Sequence, residues 1–151
     1  MIHYRNEVRG SGVDGRALVS TARRLLAAID EADAALSLSL IGDEAIRALN
    51  AQYRGRNAPT DVLSFPMDDT PRAAGQQRLL GDVVISVETA RRQAAEYQAP
   101  LQREIYRLLI HGLLHLKGHD HHAVAERRAM KREERRLADA IALPWPYGKG
   151  G

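Results

Sequence analysis

LQREIYRLLIHGLLHLKGHDHH, residues 101–122, carries the strongest structural signal in this 151-residue chain. We predict one helix over residues 101–117, which begins directly after Pro100, a residue well suited to a helix start. Gly118 can end the helix, because glycine readily takes the positive φ of a C-terminal cap. The helix is predicted to be largely buried, since apolar side chains recur along it: Leu108, Leu109, Leu113, Leu114 and Leu116.

Five of the six histidines of the chain lie within residues 111–122. His111 and His115 are four residues apart, which on a helix is about 400° of rotation and about 6 Å of rise, so both rings leave the same face. The turn at Gly118 can bring His121 back towards them. This H-x3-H-x5-H spacing predicts a site for one zinc ion, because a catalytic zinc site uses about three protein ligands and keeps one position open.

A structural metal site also fits these histidines, and so do ordinary core and surface residues that bind nothing. The chain has no cysteine, which excludes thiolate ligands. Structural zinc sites usually use cysteine, so a histidine site without it favours catalysis. The choice of zinc is an expectation, because imidazole also suits other divalent ions such as nickel.

One position separates this pattern from that of a peptidase. Metzincin peptidases share the spacing H-x3-H-x2-G-x2-H but require a glutamate directly after the first histidine as general base. That position is Gly112 in this chain. Asp120 can serve as a base, as an acceptor that supports a ligand, or simply as a turn residue. His119 and His122 do not fit the triad spacing, and we expect them to face solvent or to support the ligands.

Outside this segment, strand and helix patterns alternate along the chain. Residues 36–40 alternate leucine and serine, which is typical of a half-buried strand. Residues 81–87, GDVVISV, carry an apolar run and are predicted to form a central strand. The order βαβαββααα predicts one α+β domain over residues 1–151. The remaining predicted elements are strands at 2–8 and 61–65 and helices at 14–32, 43–53, 88–97 and 123–142.

The same patterns predict caps, a loop and inner helix faces. Asp14 and Asp43 are expected to cap the first two helices. Residues 67–79 are polar and contain proline and glycine, so a mobile loop is predicted there. The predicted inner faces are Leu18, Ala22, Leu25, Leu26 and Ile29 on the first helix, and Ile46, Leu49 and Tyr53 on the second.

Composition indicates a globular protein of the cytoplasm. Hydrophobic residues make up 44% of the chain and charged residues 27%, and no apolar run approaches the roughly 20 residues that a membrane span needs. The first residues, MIHYRNEVRG, carry charges where a signal peptide would need an apolar run. We therefore expect a cytoplasmic location and no membrane partner.

The basic residues are nearly all arginines. The net charge is +3, and the isoelectric point is about 9.5. Arginine suits phosphate because its planar group makes paired hydrogen bonds, which indicates nucleic acid as a partner. Genome composition explains an arginine excess equally well. The last helix carries interspersed glutamates, so its basic stripes favour an ion-paired solvent face over an RNA-binding one: Arg127, Arg128, Lys131, Arg132, Arg135 and Arg136.

A second unusual stretch is NAQYRGRNAPTDVLSFP, residues 50–66. It places Arg54 and Arg56 in a glycine-containing turn between a helix and a strand. Loops carry function more often than the elements they connect, and a guanidinium beside a metal can stabilise charge that develops on a phosphoryl group. Either arginine taken alone also fits a solvated loop residue.

Three motifs together resemble the YbeY family of bacterial rRNA-maturation endoribonucleases. They are YRG-x3-PTDVLSFP at residues 53–66, LLGDVVIS at 79–86 and HGLLHLKGHDH at 111–121. The resemblance covers the chain from about Leu36 to at least 118–122, in the right order and without a large insertion. The N-terminal third and the last helix carry little of the signature. His119 is one departure, since relatives often have tyrosine there. It leaves more than one histidine near Gly118 that can complete the site.

The resemblance implies a small α+β domain with a mixed four-stranded sheet, flanking helices and a zincin-like metal helix. It implies that His111, His115 and His121 bind zinc and that Arg54 is important for function. It further implies that the chain is one metallohydrolase domain. The implied activity is cleavage of single-stranded RNA, in maturation of the 3′ end of 16S rRNA and in ribosome quality control. The implied partners are rRNA and the small ribosomal subunit or its assembly proteins.

As a mechanism, we expect zinc to polarise a water molecule or a phosphate oxygen while Arg54 clamps the scissile phosphate. Attack by water and attack by the RNA 2′-hydroxyl both fit the sequence. Two further functions fit the same metal site. One is a zinc hydrolase that acts on a different substrate, and the second is a non-catalytic zinc-containing assembly factor.

Overall fold

The computed structural model describes residues 1–67, 76–120 and 122–144. Within these ranges, no helix has both the length and the apolar character that crossing a membrane requires. The described residues form four strands and five helices in the predicted order. The elements are β1 Ile2–Asn6, α1 Gly15–Ala28, β2 Ala35–Ile41, α2 Asp43–Arg54, β3 Val62–Pro66, β4 Leu79–Ser86, α3 Val87–Glu96, α4 Leu101–Leu116 and α5 Val124–Ala140.

The strands form one mixed sheet in the order β1-β2-β4-β3, which confirms the predicted fold class. β1 pairs with β2, and β2 pairs with β4, in parallel. β3 runs antiparallel to β4 and forms one edge of the sheet. β4 is therefore an inner strand, as its apolar run predicts. The edge strand β3 contains the SFP residues of the motif YRG-x3-PTDVLSFP.

The main core lies between the sheet and the helices α1, α4 and α5. Leu36, Leu38 and Leu40 of β2 supply it together with Val83 and Ile85 of β4, and each of these five is fully buried. A fully buried aliphatic side chain contributes about 1.5–3 kcal/mol, so this core fixes α4 against the sheet. A smaller cluster joins the α2 residue Ile46 to three strand residues, Ile41, Leu63 and Val84.

α1 confirms its predicted cap and inner face. The carboxylate of Asp14 accepts a hydrogen bond from the N–H of Ala17 at 3.1 Å. The helix ends at Ala28 rather than near residue 32, because Asp30 takes a positive φ of 60° and turns the chain towards β2. The predicted inner residues are all buried: Leu18, Ala22, Leu25, Leu26 and Ile29.

The predicted cap of α2 is wrong. Gly42 holds the N-cap position, and Asp43 is the first helical residue. The carboxylate of Asp43 accepts hydrogen bonds from the hydroxyls of Ser86 and Thr89, each at 2.6 Å, and from Arg92 at 2.8 Å. These partners come from the start of α3, so a tertiary contact has replaced the local capping bond.

The predicted inner face of α2 is right for Ile46, which is fully buried, and for Leu49, which is partly buried. It is wrong for Tyr53, which is 58% exposed. Asn50 takes the inner position near the end of the helix, and its amide donates to the carbonyl of Ala58 at 2.8 Å. A polar side chain is tolerated there because its hydrogen bond is satisfied.

The bounds of one predicted loop and of the first predicted strand differ from those in the structure. Residues 68–75 of the loop predicted at 67–79 lie outside the described residues, and Leu79 belongs to β4, where it pairs with Ala35. The first strand ends at Asn6 rather than at residue 8. The side chain of Asn6 accepts a hydrogen bond from the N–H of Val8 at 2.9 Å, which turns the chain out of the sheet.

Glu31, between α1 and β2, joins three parts of the fold. Its side chain is 9% exposed, and it accepts hydrogen bonds from Lys117 at 3.1 Å and from Arg78. Lys117 directly follows α4, and Arg78 directly precedes β4. Burial by itself would raise the pKa of Glu31, but the hydrogen bonds and charges of Arg78 and Lys117 outweigh burial and lower it.

We expect Glu31→Gln to lower the free energy of unfolding at about pH 7 by about 1–3 kcal/mol, because Arg78 and Lys117 lose a buried charged partner. The folded-state pKa of Glu31 lies below its unfolded value of about 4.3. The stabilisation is therefore complete well above that value and is lost as the pH falls through the folded-state pKa. Urea unfolding of both proteins at neutral and acidic pH measures the difference.

Glu7→Gln is the matched control, because the pair of Glu7 with Arg5 is exposed and 3.6 Å long. Exposed pairs of this kind contribute little. A loss for Glu31→Gln that is the same at neutral and acidic pH would contradict the assignment.

Candidate functional site

The C-terminal end of α4 forms the glycine turn that the sequence predicts. Gly118 has a φ of 89°. Its N–H donates to the carbonyl of His115, and the N–H of His119 donates to the carbonyl of Leu114, both at 3.0 Å. These are the two hydrogen bonds of a Schellman cap. The chain therefore folds back across the end of the helix, on the side where the histidines lie.

His111 and His115 are brought together on one face of α4. Their Nε2 atoms are 3.0 Å apart, and their ring centroids are 4.5 Å apart with the planes at 75°. Two nitrogens bound to one tetrahedral zinc at about 2.0–2.1 Å would lie about 3.3 Å apart. The pair therefore converges closely enough to share a metal ion, and both side chains are partly buried.

His121, the third predicted ligand, lies outside the described residues. Among the residues that are described, no group of three or more histidine, aspartate or glutamate side chains is arranged to hold a metal. The structure thus supplies two converging imidazoles from the predicted triad, and the complete ligand set stays a prediction.

Gly112 packs directly against the sheet. The hydroxyl of Ser64 in β3 donates to the carbonyl of Gly112 at 2.9 Å, and this contact is buried. A Cβ atom at position 112 would lie 2.8 Å from Cγ1 of Val83 and 3.1 Å from Oγ of Ser64. Real Cβ atoms essentially never approach a neighbouring atom to 2.8 Å, so any side chain at the position that a metzincin fills with glutamate would require the packing to shift.

Arg54 also contacts Ser64 of β3. It ends α2, next to Gly55, whose φ of 71° forms the C-cap. Its Nη2 donates to the carbonyl of Ser64 at 2.7 Å, and its guanidinium carbon lies 5.6 Å from the centroid of the Phe65 ring. The ring of Phe65 in turn packs edge-on against Tyr53 at 5.3 Å. Ser64 therefore connects Arg54 and the histidine helix, through its carbonyl and its hydroxyl respectively.

An open cavity of about 650 Å³ lies between β3, the end of α2 and the C-terminal end of α4. The sequence singles out its arginines and histidines separately, from stretches about 50 residues apart, and the fold places them around one space. The charged or titratable residues that line it are Arg54, Arg56, Asp61, His111, His115, His119, Asp120 and His122.

The turn residues beyond Gly118 have distinct surroundings. Asp120 Oδ2 lies 3.2 Å from Nε2 of His122, so its carboxylate faces that imidazole. The side chain of His122 is 79% exposed, as predicted, whereas His119 is partly buried. Both histidines line the cavity. Asp120 is thus a histidine-paired residue at the rim of the cavity.

Asp61 of the PTDVLSFP motif lines the cavity, although the sequence assigns it no role. Its carboxylate accepts the N–H of Val62 at 2.7 Å and the side-chain amide of Gln93 at 3.3 Å. Gln93 also accepts from Arg107, which binds the fully buried carboxylate of Glu104 at 2.6 Å. A partly buried chain of polar contacts thus runs from α4 to the cavity. The available signal was a glutamate, Glu104, directly before the apolar Ile105 in a helix predicted to be largely buried.

The basic stripes of α5 are partly ion-paired, as predicted. Arg136 binds Glu133 at 2.7 Å and donates to the carbonyl of Ala28 at 2.9 Å. Arg127 donates to the carbonyl of His122 at 3.2 Å, so it lies beside the turn at the cavity. Another α5 side chain, Glu134, approaches the site itself: its Oε1 lies 3.5 Å from Nδ1 of His111.

The fold and the site together define a small α+β protein built on a buried helix that presents paired histidines to an arginine-lined cavity. Residues 4–142 match the family model described as Endoribonuclease YbeY. The chain belongs to this family, which confirms the resemblance of the three sequence motifs.

Curated relatives named Endoribonuclease YbeY include proteins from three bacteria. The one from Anaeromyxobacter sp. is 49% identical over 128 residues, which cover 85% of this chain and 65% of the relative. The one from Myxococcus xanthus is 47% identical, with 85% and 44% covered. The one from Moorella thermoacetica is 44% identical over 140 residues, with 85% and 90% covered. The chain thus spans less than two thirds of the length of the first two relatives.

A solved structure supports the fold. The solution structure of TM1509 from Thermotoga maritima superposes with a TM-score of 0.64 at 24% identity. The superposition covers 99% of this chain and 93% of that one.

We expect Gly112→Ala to lower the free energy of unfolding by about 1–3 kcal/mol, because the added methyl group must push α4 away from Val83. Val83→Ala removes the atoms that the new methyl meets. The double variant should therefore be more stable than the sum of the two single losses. Chemical denaturation of the three variants measures this coupling, and strictly additive losses would contradict the close packing.

Proposed function

We propose that this protein is a zinc-dependent endoribonuclease that cleaves single-stranded RNA and acts in maturation of the 3′ end of small-subunit rRNA and in ribosome quality control. The observation that carries the proposal is the shared cavity, in which Arg54 and the convergent pair His111 and His115 meet. Family membership supports the choice of RNA as substrate. The proposed partners are rRNA and the small subunit or its assembly proteins, in the cytoplasm.

One zinc ion would be held by His111 and His115 of α4 and by His121, which the family motif adds. When bound, it supplies Lewis-acid chemistry to the cavity. The two imidazoles already converge within 3.0 Å, so this part of the site needs little rearrangement to accept a cation.

Arg54 binds the scissile phosphate in this proposal. Its hydrogen bond to Ser64 uses one of the five guanidinium N–H donors and anchors the group beside the cavity. Paired hydrogen bonds from the remaining donors suit a phosphate. A fixed guanidinium also stabilises negative charge that develops on the phosphate oxygens without reorganising during the reaction.

The cavity favours a single strand as substrate. Its volume of about 650 Å³ is that of a small-ligand pocket, which suits one or two nucleotides of a flexible single strand better than a rigid duplex. Arg54 and Arg56 both line it and can bind the phosphates of the RNA backbone, beside two aspartates, Asp61 and Asp120. No glutamate at position 112 is available as a peptidase base, which speaks against peptide hydrolysis.

We expect Arg54→Ala to reduce cleavage of a single-stranded RNA by about 10²–10³-fold, because a preorganised charge is removed from the transition state. The substrate is an oligonucleotide with the 3′ end of precursor 16S rRNA, and cleavage is followed by gel electrophoresis with zinc-loaded protein. Arg47→Ala is the matched control on the same helix, because Arg47 pairs with Glu44 and Asn57 and does not line the cavity. A folded Arg54→Ala protein with normal cleavage would favour the non-catalytic assembly factor.

We expect removal of the metal by a chelator, and equally His115→Ala, to abolish cleavage while circular dichroism stays that of the folded protein. α4 is held by the apolar core and by Ser64, so its position does not require a bound ion. Unfolding on metal removal would indicate a structural zinc site instead. Metal analysis of protein purified without a polyhistidine tag identifies the ion.

A further inference from the structure

Glu134 of α5 lies beside the histidine pair but does not line the cavity. Its Oε1 lies 3.5 Å from Nδ1 of His111, whereas Nε2 of the same ring lies 3.0 Å from Nε2 of His115. The two ring nitrogens of His111 thus have different neighbours. Nδ1 faces a carboxylate, and Nε2 faces the second imidazole.

The position of Glu134 is set by the packing of α5. Met130, Leu137 and Ala138 are buried in the main core at 2%, 0% and 0% exposure. They are four residues before, three after and four after Glu134, so all four side chains share one face of the helix. The packing of these core residues therefore places the side chain of Glu134 beside α4, where it is only 19% exposed. A carboxylate on a buried stripe needs a partner, and His111 is the residue in front of it.

The neighbouring residue shows that this placement is specific. Glu133 lies on a different side of the helix, where it binds Arg136 at 2.7 Å. Arg136 also donates to the carbonyl of Ala28 on α1. Glu133 therefore makes a surface ion pair, and Glu134 is the glutamate of the two that contacts the site.

A carboxylate beside Nδ1 selects one form of the neutral imidazole. The proton resides on Nδ1, where the carboxylate can accept it, and the lone pair is left on Nε2. A histidine that binds a metal through Nε2 needs this tautomer. A carboxylate partner also fixes the ring orientation and makes the ligand more basic.

We propose that Glu134 is a positioning residue that accepts the Nδ1–H of His111, holds its Nε2 towards His115 and so tightens metal binding at the site. This inference rests on the proposed metal site. Glu134 faces the nitrogen opposite to the converging pair, so it acts through His111 and is not itself a ligand.

The test uses the full chain with Glu134→Leu, which removes the acceptor but suits a partly buried helix position, and Glu134→Gln, which keeps an acceptor oxygen without the charge. Glu133→Gln is the matched control on the adjacent residue, and His115→Ala tests the metal site itself. Zinc affinity is measured by competition with a chromophoric chelator. Long-range ¹H–¹⁵N spectra of the zinc-free proteins report which nitrogen of His111 carries the proton.

We expect Glu134→Leu to weaken zinc binding about 10–100-fold, the range found for residues that support a metal ligand. The same variant should shift the His111 proton away from Nδ1, and Glu134→Gln should restore the Nδ1–H form with an intermediate zinc affinity. Glu133→Gln should match wild type in both measurements. A purely structural role for Glu134 would lower stability without changing the tautomer.

Wild-type zinc affinity in a folded Glu134→Leu protein would overturn the inference. If that variant does not fold, Glu134→Gln decides, and wild-type affinity there would overturn it equally. His115→Ala distinguishes the two levels of the proposal. If His115→Ala also binds zinc normally, the proposed metal site itself is wrong. If His115→Ala loses zinc affinity but the Glu134 variants do not, only the positioning role of Glu134 is wrong.

Discussion

The hydrogen bond from the hydroxyl of Ser64 to the carbonyl of Gly112 joins the histidine helix to the edge of the sheet. The absence of a side chain at residue 112 allows this close approach, since a Cβ there would lie 2.8 Å from Cγ1 of Val83. The carbonyl of the same serine holds Arg54. A single edge-strand residue thus sets the distance between the arginine and the histidine pair. The close packing of Gly112 against Val83 also disfavours a larger residue directly after His111.

Elements whose signal is local were predicted well. The periodicity of α1 and the alternation of β2 each indicate burial of one face, and the apolar run of β4 indicates burial of both faces; the structure buries those faces. Asp43 and Tyr53 were predicted wrongly for the same reason. The carboxylate of Asp43 binds the hydroxyls of Ser86 and Thr89 instead of a local backbone N–H. Asn50 occupies the inner face in place of Tyr53, because its amide donates to the loop carbonyl of Ala58. Both outcomes depend on partners that local periodicity does not contain.

In the candidate site, too, the features set by local geometry were predicted and those set by long-range contacts were not. The four-residue spacing of His111 and His115 was sufficient to place both rings on one face, because the helix geometry is local. Ser64 and Glu134 were not found from the sequence. Ser64 is 48 residues from its partner Gly112, and Glu134 is one of several glutamates in a helix rich in charge. Only the packing of α5 shows that Glu134, rather than Glu133, faces the site.

A buried glutamate forms an ion pair near each end of α4. Glu104 near its start binds Arg107, whose contacts extend through Gln93 to Asp61 at the cavity. Glu31 binds Lys117 directly after its last turn. Partly buried ion pairs of this kind add little net stability compared with apolar packing, but breaking one is costly, so they favour one position of the helix over alternative positions. They therefore help to fix the position of the helix that carries His111 and His115.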